Sequence, residues 1–316
     1  MLSIIIPDRQ GQPYLQKTID GLFENATGDI EIIVVCDGTW PDPSLKTHPR
    51  VIQIHHGTQF GNLGMRTSIN RGIAVSHGEY IMKIDEHCMV GNGFDKQLIA
   101  DCEDNWVVIP RRWRLDADEW KVTREMRDQR PPVDYMFVAY PYERPNDKTC
   151  GLHGAEWKER FETNKQLLID ETPTMQGSCY FMKRSYWDKL LPNGLNPDHY
   201  GEFTQEAQEI SMAAWLSGGK VMVNKKTWYA HMHKGKRGKG YGFSNEQYKR
   251  HMIGTEKGRV YAIEYWITTK EYLHDFEWFI NHFWPIPTWP DNWKERVIID
   301  RKFDYSLARN MKGEIK

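Results

Sequence analysis

Two continuous apolar runs near the start of the chain, "LSIIIP" (2–7) and "GDIEIIVVCDG" (28–38), do most to limit the possible folds. Runs of this kind suit strands buried on both faces of a parallel sheet, because a strand with one wet face alternates instead. Between them, "PYLQKTIDGLFENA" places Leu15, Ile19, Leu22 and Phe23 at the i, i+4, i+7, i+8 spacing of an amphipathic helix. Strand, helix, strand makes a βαβ unit, and the start of the chain reads as a doubly wound α/β sheet.

The pattern continues with strands at "RVIQIHH" and "GEYIMKI", helices at "GMRTSINRGIAVSH" and "GFDKQLIADCE", and a strand at "NWVVIP". Residues 111–172 are polar and proline-rich ("QRPPVDY", "YERPND"), which predicts an irregular excursion with one or two strands at "YMFVAYPY". Regularity returns in "TPTMQGSCYFMKRSYWDKLL", in a helix over "TQEAQEISMAAWLSGG", and in a strand over "KVMVNKKTWYAHMHK". In that helix Ile210, Ala213, Ala214 and Leu216 can face a core, with Glu206 and Glu209 one turn apart near its N-terminal end.

Ligands of such sheets bind beyond the carboxyl ends of the strands, where Asp37 and Asp85 both fall. In "MKIDEHCMV" (82–90), Asp85 and His87 stand at i and i+2, so an extended backbone directs both to one side and Glu86 to the other. A carboxylate oxygen and an imidazole nitrogen on one side are two corners of a divalent metal site suited to Mn²⁺. A strand-end Asp that caps a helix beside a hydrogen-bonded His is the plain alternative. "HMH" (231–233) ends a later strand; His231 and His233 share a face, and either can complete the site, with His231 preferred.

Lys plus Arg number 42 against 43 Asp plus Glu, so bulk charge selects no polyanionic partner and steering must be local. Five cysteines without a Cys-x-x-Cys pair fit a reduced compartment. A strand starting at Leu2, with no apolar stretch near about 18 residues, leads us to expect a cytoplasmic protein without membrane insertion. Thirteen tryptophans, concentrated late ("EYW", "FEWFINHFWPIPTWPDNW"), predict an aromatic packing layer, with an acceptor platform as the alternative.

"YIMKIDEHCMVGNGFDKQL", "TPTMQGSCYFMKRSYW", "EAQEISMAAWLSGGKVMV" and "YAHMHK" resemble successive blocks of the polypeptide N-acetylgalactosaminyltransferases, nucleotide-sugar enzymes of the GT-A fold. "SIIIP" and "EIIVVCDG" are similar to the wider family-2-like glycosyltransferases. The resemblance covers residues 2 to about 235 and says little about 111–170. It implies a GT-A catalytic domain over 1–235, with a nucleotide-sugar half (1–110) and an acceptor-side half (111–235). Residues 236–316 would then form a basic loop and a helical C-terminal extension.

The resemblance further implies that Asp85, His87 and His231 hold Mn²⁺ (or Mg²⁺) against the diphosphate of a UDP-sugar. Asp37 matches the residue that receives uridine and ribose, although an Asp-Gly turn former reads the same way. Pro7, Arg66, Asp85, Lys234 and Arg237 complete the donor-binding candidates, and Glu206 and Gln176 are the catalytic ones. Glu206 corresponds to a glutamate that reaches sugar and acceptor, or simply favours a helix N-terminus. Gln176 stands where the family has a small residue, and a Trp-Gly-Gly sequence is missing from "HYGEFTQEAQ", so the donor sugar and acceptor do not carry over. The family's secretory anchor and lectin domain are not expected either.

Transfer with retention is implied; inversion needs a general base, a role open to Glu206. The basic "HKGKRGKGYG" loop (233–242) is expected to close over the diphosphate or to track nucleic-acid phosphates. The acceptor is a glycan, a protein hydroxyl or a hydroxymethylated base in DNA, the last contacted by "RRWR" (111–114) and late aromatics. A silent nucleotide-sugar binding module needs no complete ligand set, and a nucleotidyltransferase needs a glycine-rich phosphate loop that "PDRQGQPYL" does not provide.

Overall fold

The computed structural model describes residues 1–9, 13–38, 40–57, 62–116, 118–122, 131–142, 151–201, 204–232 and 245–300. Strand β1 (Leu2–Asp8) is buried almost throughout; helix α1 (Leu15–Asn25) carries the chain over to a parallel pairing with β2 (Ile30–Asp37), which is buried at every position. Strand β3 (Val51–His56) adds beside β2. Helix α2 (Met65–Val75) then leads back across the sheet to β4 (Tyr80–Ile84), parallel to β1 on its other side. The direction of winding therefore reverses between β1 and β4, and a crevice opens there beyond the strand ends.

Strand β5 (Cys88–Val90), helix α3 (Phe94–Asp101) and strand β6 (Trp106–Asp116) follow, with β7 (Lys121–Val122) paired to the end of β6. A small antiparallel pair, β8 (Met136–Val138) and β9 (Gly154–Glu156), precedes α4 (Lys158–Asn164) and β10 (Ile169–Glu171). The chain returns to the sheet in β11 (Cys179–Lys183), then α5 (Arg184–Leu190), α6 (Pro197–Tyr200), α7 (Glu206–Leu216) and β12 (Lys220–His231). Helices α8 (Asn245–Thr268) and α9 (Phe276–Phe283) finish the described chain.

The main sheet runs β10-β12-β6-β11-β4-β1-β2-β3, with β5 on β12 and β7 on β6. β11 enters antiparallel between β4 and β6, whereas β6 and β12 are parallel. The fold is thus the expected mixed α/β architecture with a mostly parallel sheet.

Two elements differ from the sequence reading. β6 does not stop at Pro110 but continues to Asp116, because Arg111–Arg114 pair with Trp228–His231 after a register shift beyond Asn224. Arginines carry weak strand preference, and pairing to a neighbouring strand overrides it. Helix α7 is buried on all sides, Glu206 and Glu209 included, since it is packed between the sheet and the C-terminal helices. The late tryptophans do form a packing layer: Trp266, Trp289 and Trp293 are buried with Phe276 and Phe279 in the same core as β1, and Trp289 Nε1 donates to the Val138 carbonyl at 2.7 Å. Among the described residues no helix is long and apolar enough to cross a membrane, and the four described cysteines are free.

Candidate metal and donor site

The chain bends between β4 and β5, so the alternation expected of "IDEHC" fails at this point. Asp85 leaves the end of β4, and His87 stands one residue before β5. β5 pairs antiparallel with β12 so that His231 lies opposite Cys88, next to His87. This register, and no local signal, brings together residues 146 apart.

His87 Nε2 lies 3.0 Å from His231 Nε2, which lies 3.1 Å from Asp85 Oδ2. One ligand atom from each falls within 4.8 Å of the others, the one such cluster of metal-ligating groups found among the described residues. Burial lowers the His231 pKa to about 4, so its ring is uncharged at neutral pH. Glu86, read as facing away, instead folds back: its Oε1 lies 3.2 Å from His87 Nδ1, within ion-pair range though not in hydrogen-bond geometry. Two imidazole nitrogens and a carboxylate oxygen, with a carboxylate behind one ring, fit a divalent cation.

A residue passed over in the sequence organises this cluster. Lys83, buried in β4, places Nζ 2.5 Å from Asp85 Oδ1, 2.5 Å from the Gly177 carbonyl and 4.0 Å from Glu206 Oε1. Burial alone would raise the Asp85 pKa, yet Lys83 and His231 hold it far below the usual carboxylate range. Burial likewise opposes a charge on Lys83, but Asp85 and Glu206 keep it protonated. The available signal was a lone lysine in an otherwise apolar strand, two residues before Asp85. Lys83→Met is expected to destabilise the chain by about 3 kcal/mol, because Asp85 loses its counter-charge. Mn²⁺ should restore more stability to this variant than to the parent, as read by urea unfolding with and without the ion.

Glu206 is buried at the start of α7, against Gly177, where an added Cβ would meet its Oε2 at 3.0 Å. Burial pushes its pKa up, opposed by Lys83. Gln176 Oε1 accepts hydrogen bonds from Arg112 and, at 3.2 Å, from Ser178 Oγ, whose hydroxyl meets that of Tyr229 at 2.9 Å. Asp37 turns its carboxylate to the backbone, accepting from Leu63 N at 2.7 Å and Gly64 N at 2.8 Å, so it anchors the entry to α2. Pro7 lies near the carboxyl end of β1, one of the two strands between which the winding reverses.

Arg66 does not join the cluster. Its guanidinium is fully buried, paired with Glu209, hydrogen-bonded to the Thr204 carbonyl at 2.6 Å and stacked 4.5 Å from the Tyr200 ring centroid. It ties α2 to α7, a role invisible in a sequence that placed it merely at a helix start. Lys234, Arg237 and His233, with the rest of the basic loop, lie outside the described residues.

Comparison with known proteins agrees with this architecture. Residues 139 in number are 33% identical to the uncharacterized glycosyltransferase EpsJ of Bacillus subtilis (strain 168), covering 42% of this chain and 38% of that protein. A putative polypeptide N-acetylgalactosaminyltransferase 13 of Drosophila melanogaster is 23% identical over 247 residues, 70% of this chain and 40% of that protein. The chain thus spans about two fifths of the length of both relatives. The crystal structure of GalNAc-T7 with UDP, GalNAc and Mn²⁺ superposes with a TM-score of 0.57 at 16% identity, over 81% of this chain and 48% of that one, a likeness of fold. The sequence profile described as Glycosyl transferase family 2 matches residues 3–191, from β1 through α5 and across the crevice that holds Asp85 and His87, and the chain belongs to that family.

Proposed function

We propose that the chain moves a sugar from a nucleotide diphosphate sugar, with a UDP-sugar as donor, to an acceptor hydroxyl. Asp85, His87 and His231 would hold Mn²⁺, or Mg²⁺ in its place. The observation that carries this reading is the convergence of three ligand atoms at the crevice where the sheet changes winding direction. A divalent ion there supplies positive charge for the leaving diphosphate. Lys83 keeps Asp85 ionised and turned so that Oδ2 faces His231. Glu86 stands beside His87, and burial keeps His231 neutral. Pro7 and Asp37 shape the nucleotide side, Asp37 through the backbone it anchors.

Glu206 and Gln176 border the sugar side through Gly177. Retention is our assignment, with the leaving phosphate accepting the acceptor proton on the same face of the sugar. It is supported by the burial of Glu206 beside Lys83, a poor setting for a base that must reach a hydroxyl on the opposite face. A saccharide or protein hydroxyl is the favoured acceptor. For a hydroxymethylated base in DNA, the supporting features are weaker: Arg111 is committed to Asp134, and Trp266, Trp289 and Trp293 are buried.

A panel of nucleotide sugars, each with Mn²⁺ or with chelator, tests the proposal by hydrolysis and by mass spectrometry of glycan, peptide and hydroxymethylated DNA acceptors. Metal-dependent release of UDP from one donor is expected. No turnover and no binding across the panel refutes it.

A further inference from the structure

β6 continues past Pro110 alongside β12, and in-register neighbours in a sheet present their side chains on one face. Arg112 stands opposite Tyr229 and Arg114 opposite His231, so both arginines share the face of the metal cluster. The intervening positions point the other way: Arg111 is bound to Asp134, and Trp113 packs with Leu115 in a separate apolar cluster. Among the described residues neither Arg112 nor Arg114 forms an ion pair. The one hydrogen bond of the Arg112 guanidinium goes to a neutral acceptor, Gln176 Oε1, and Glu156 attracts it from beyond ion-pair range.

The local chemistry is one-sided. Gln176 Oε1 is taken up by Arg112 and Ser178, and Ser178 and Tyr229 bond to each other. What remains to face a ligand is the Gln176 amide NH₂ and the other guanidinium N–H groups, all donors. A partly buried guanidinium without a carboxylate is uncompensated charge, and a fork of fixed donors matches a carboxylate or phosphate. Its place in the sheet says which part of a ligand it meets. In the sheet order β6 stands between β12, which carries His231, and β11 and β4, which lead to Asp85; the arginines therefore border the metal cluster at sheet positions farther than Asp85 from β1 and β2, the strands that carry Pro7 and Asp37.

We propose that Arg112, held by Gln176 and assisted by Arg114, binds an anionic group, carboxylate or phosphate, of the transferred sugar or of the acceptor, and not the diphosphate of the donor. This rests on the nucleotide-sugar reading of the site. It also assigns Gln176, where relatives by resemblance have a small residue, the task of aiming Arg112.

Calorimetric titration of the full chain with UDP, UDP-glucose, UDP-glucuronate and inorganic phosphate, all with Mn²⁺, separates the sources. A sugar carboxylate is indicated if Arg112→Met weakens UDP-glucuronate about tenfold while sparing UDP-glucose. An acceptor anion is indicated if it weakens phosphate, added with saturating UDP, by a similar factor. Gln176→Ala should shift the same ligand in the same direction, and Arg114→Met carries the test if Arg112→Met does not fold. Unchanged affinities in a folded variant, or an equal loss for UDP itself, overturn the proposal. Phosphate can also be titrated without nucleotide: a chain that binds it through Arg112 but binds no UDP-sugar keeps the anion site and loses both the glycosyl-transfer reading and the assignment of that anion to sugar or acceptor.

Discussion

Asp85→Ala and His87→Ala should each lower metal-dependent turnover at least about a thousandfold, equivalent to roughly 4 kcal/mol of transition-state stabilisation. Each removes one of three converging ligand atoms, leaving a pair too few to hold a divalent ion against water. Binding of Mn²⁺ by calorimetry should be lost together with activity. The fold should persist, because both side chains lie where the strands end and the core beneath them is apolar. In Asp85→Ala, Lys83 still has the Gly177 carbonyl at 2.5 Å and Glu206 nearby. Full metal-dependent turnover in either variant, with unaltered circular dichroism, would remove the site assignment.

Arg66→Met should act on stability instead, by about 3–5 kcal/mol. The guanidinium is wholly buried with Glu209, Thr204 and Tyr200 around it, so its removal strands an acid in the interior. Burial already raises the Glu209 pKa, and without Arg66 that acid takes up a proton or draws in water. Urea unfolding of Arg66→Met, Glu209→Gln and the double variant gives the coupling; the double should be less destabilised than the sum of the singles. Donor affinity at a temperature where the variant is folded should change little. A large loss of donor affinity with unaltered unfolding would instead make Arg66 a direct donor contact.

The apolar runs of β1, β2 and β4 and the helices between them were legible because buried parallel strands and amphipathic helices leave periodic signatures over a few residues. Asp85 and His87 were legible for a related reason: ionisable residues stand out where an apolar strand stops. The orientation of Glu86 was not, because alternation holds only in extended backbone and the chain bends there. β6 beyond Pro110 was hidden by its arginines, whose strand conformation is imposed by β12. Arg66 illustrates the limit: an arginine at a helix start looks the same whether it meets a ligand or a buried glutamate 143 residues away.

By itself, then, the sequence determined the βαβ winding, the strand ends that bear Asp37 and Asp85, and the resemblance that pairs "IDEH" with "AHMH". Tertiary structure decided which groups meet: His231 with His87, Lys83 with Asp85 and Glu206, Arg66 with Glu209, and Arg112 with Gln176. The division has one physical cause. Periodicity reflects contact with water or core and is written locally, whereas the partner of a buried charge depends on sheet register and helix packing between distant segments, which no local pattern encodes.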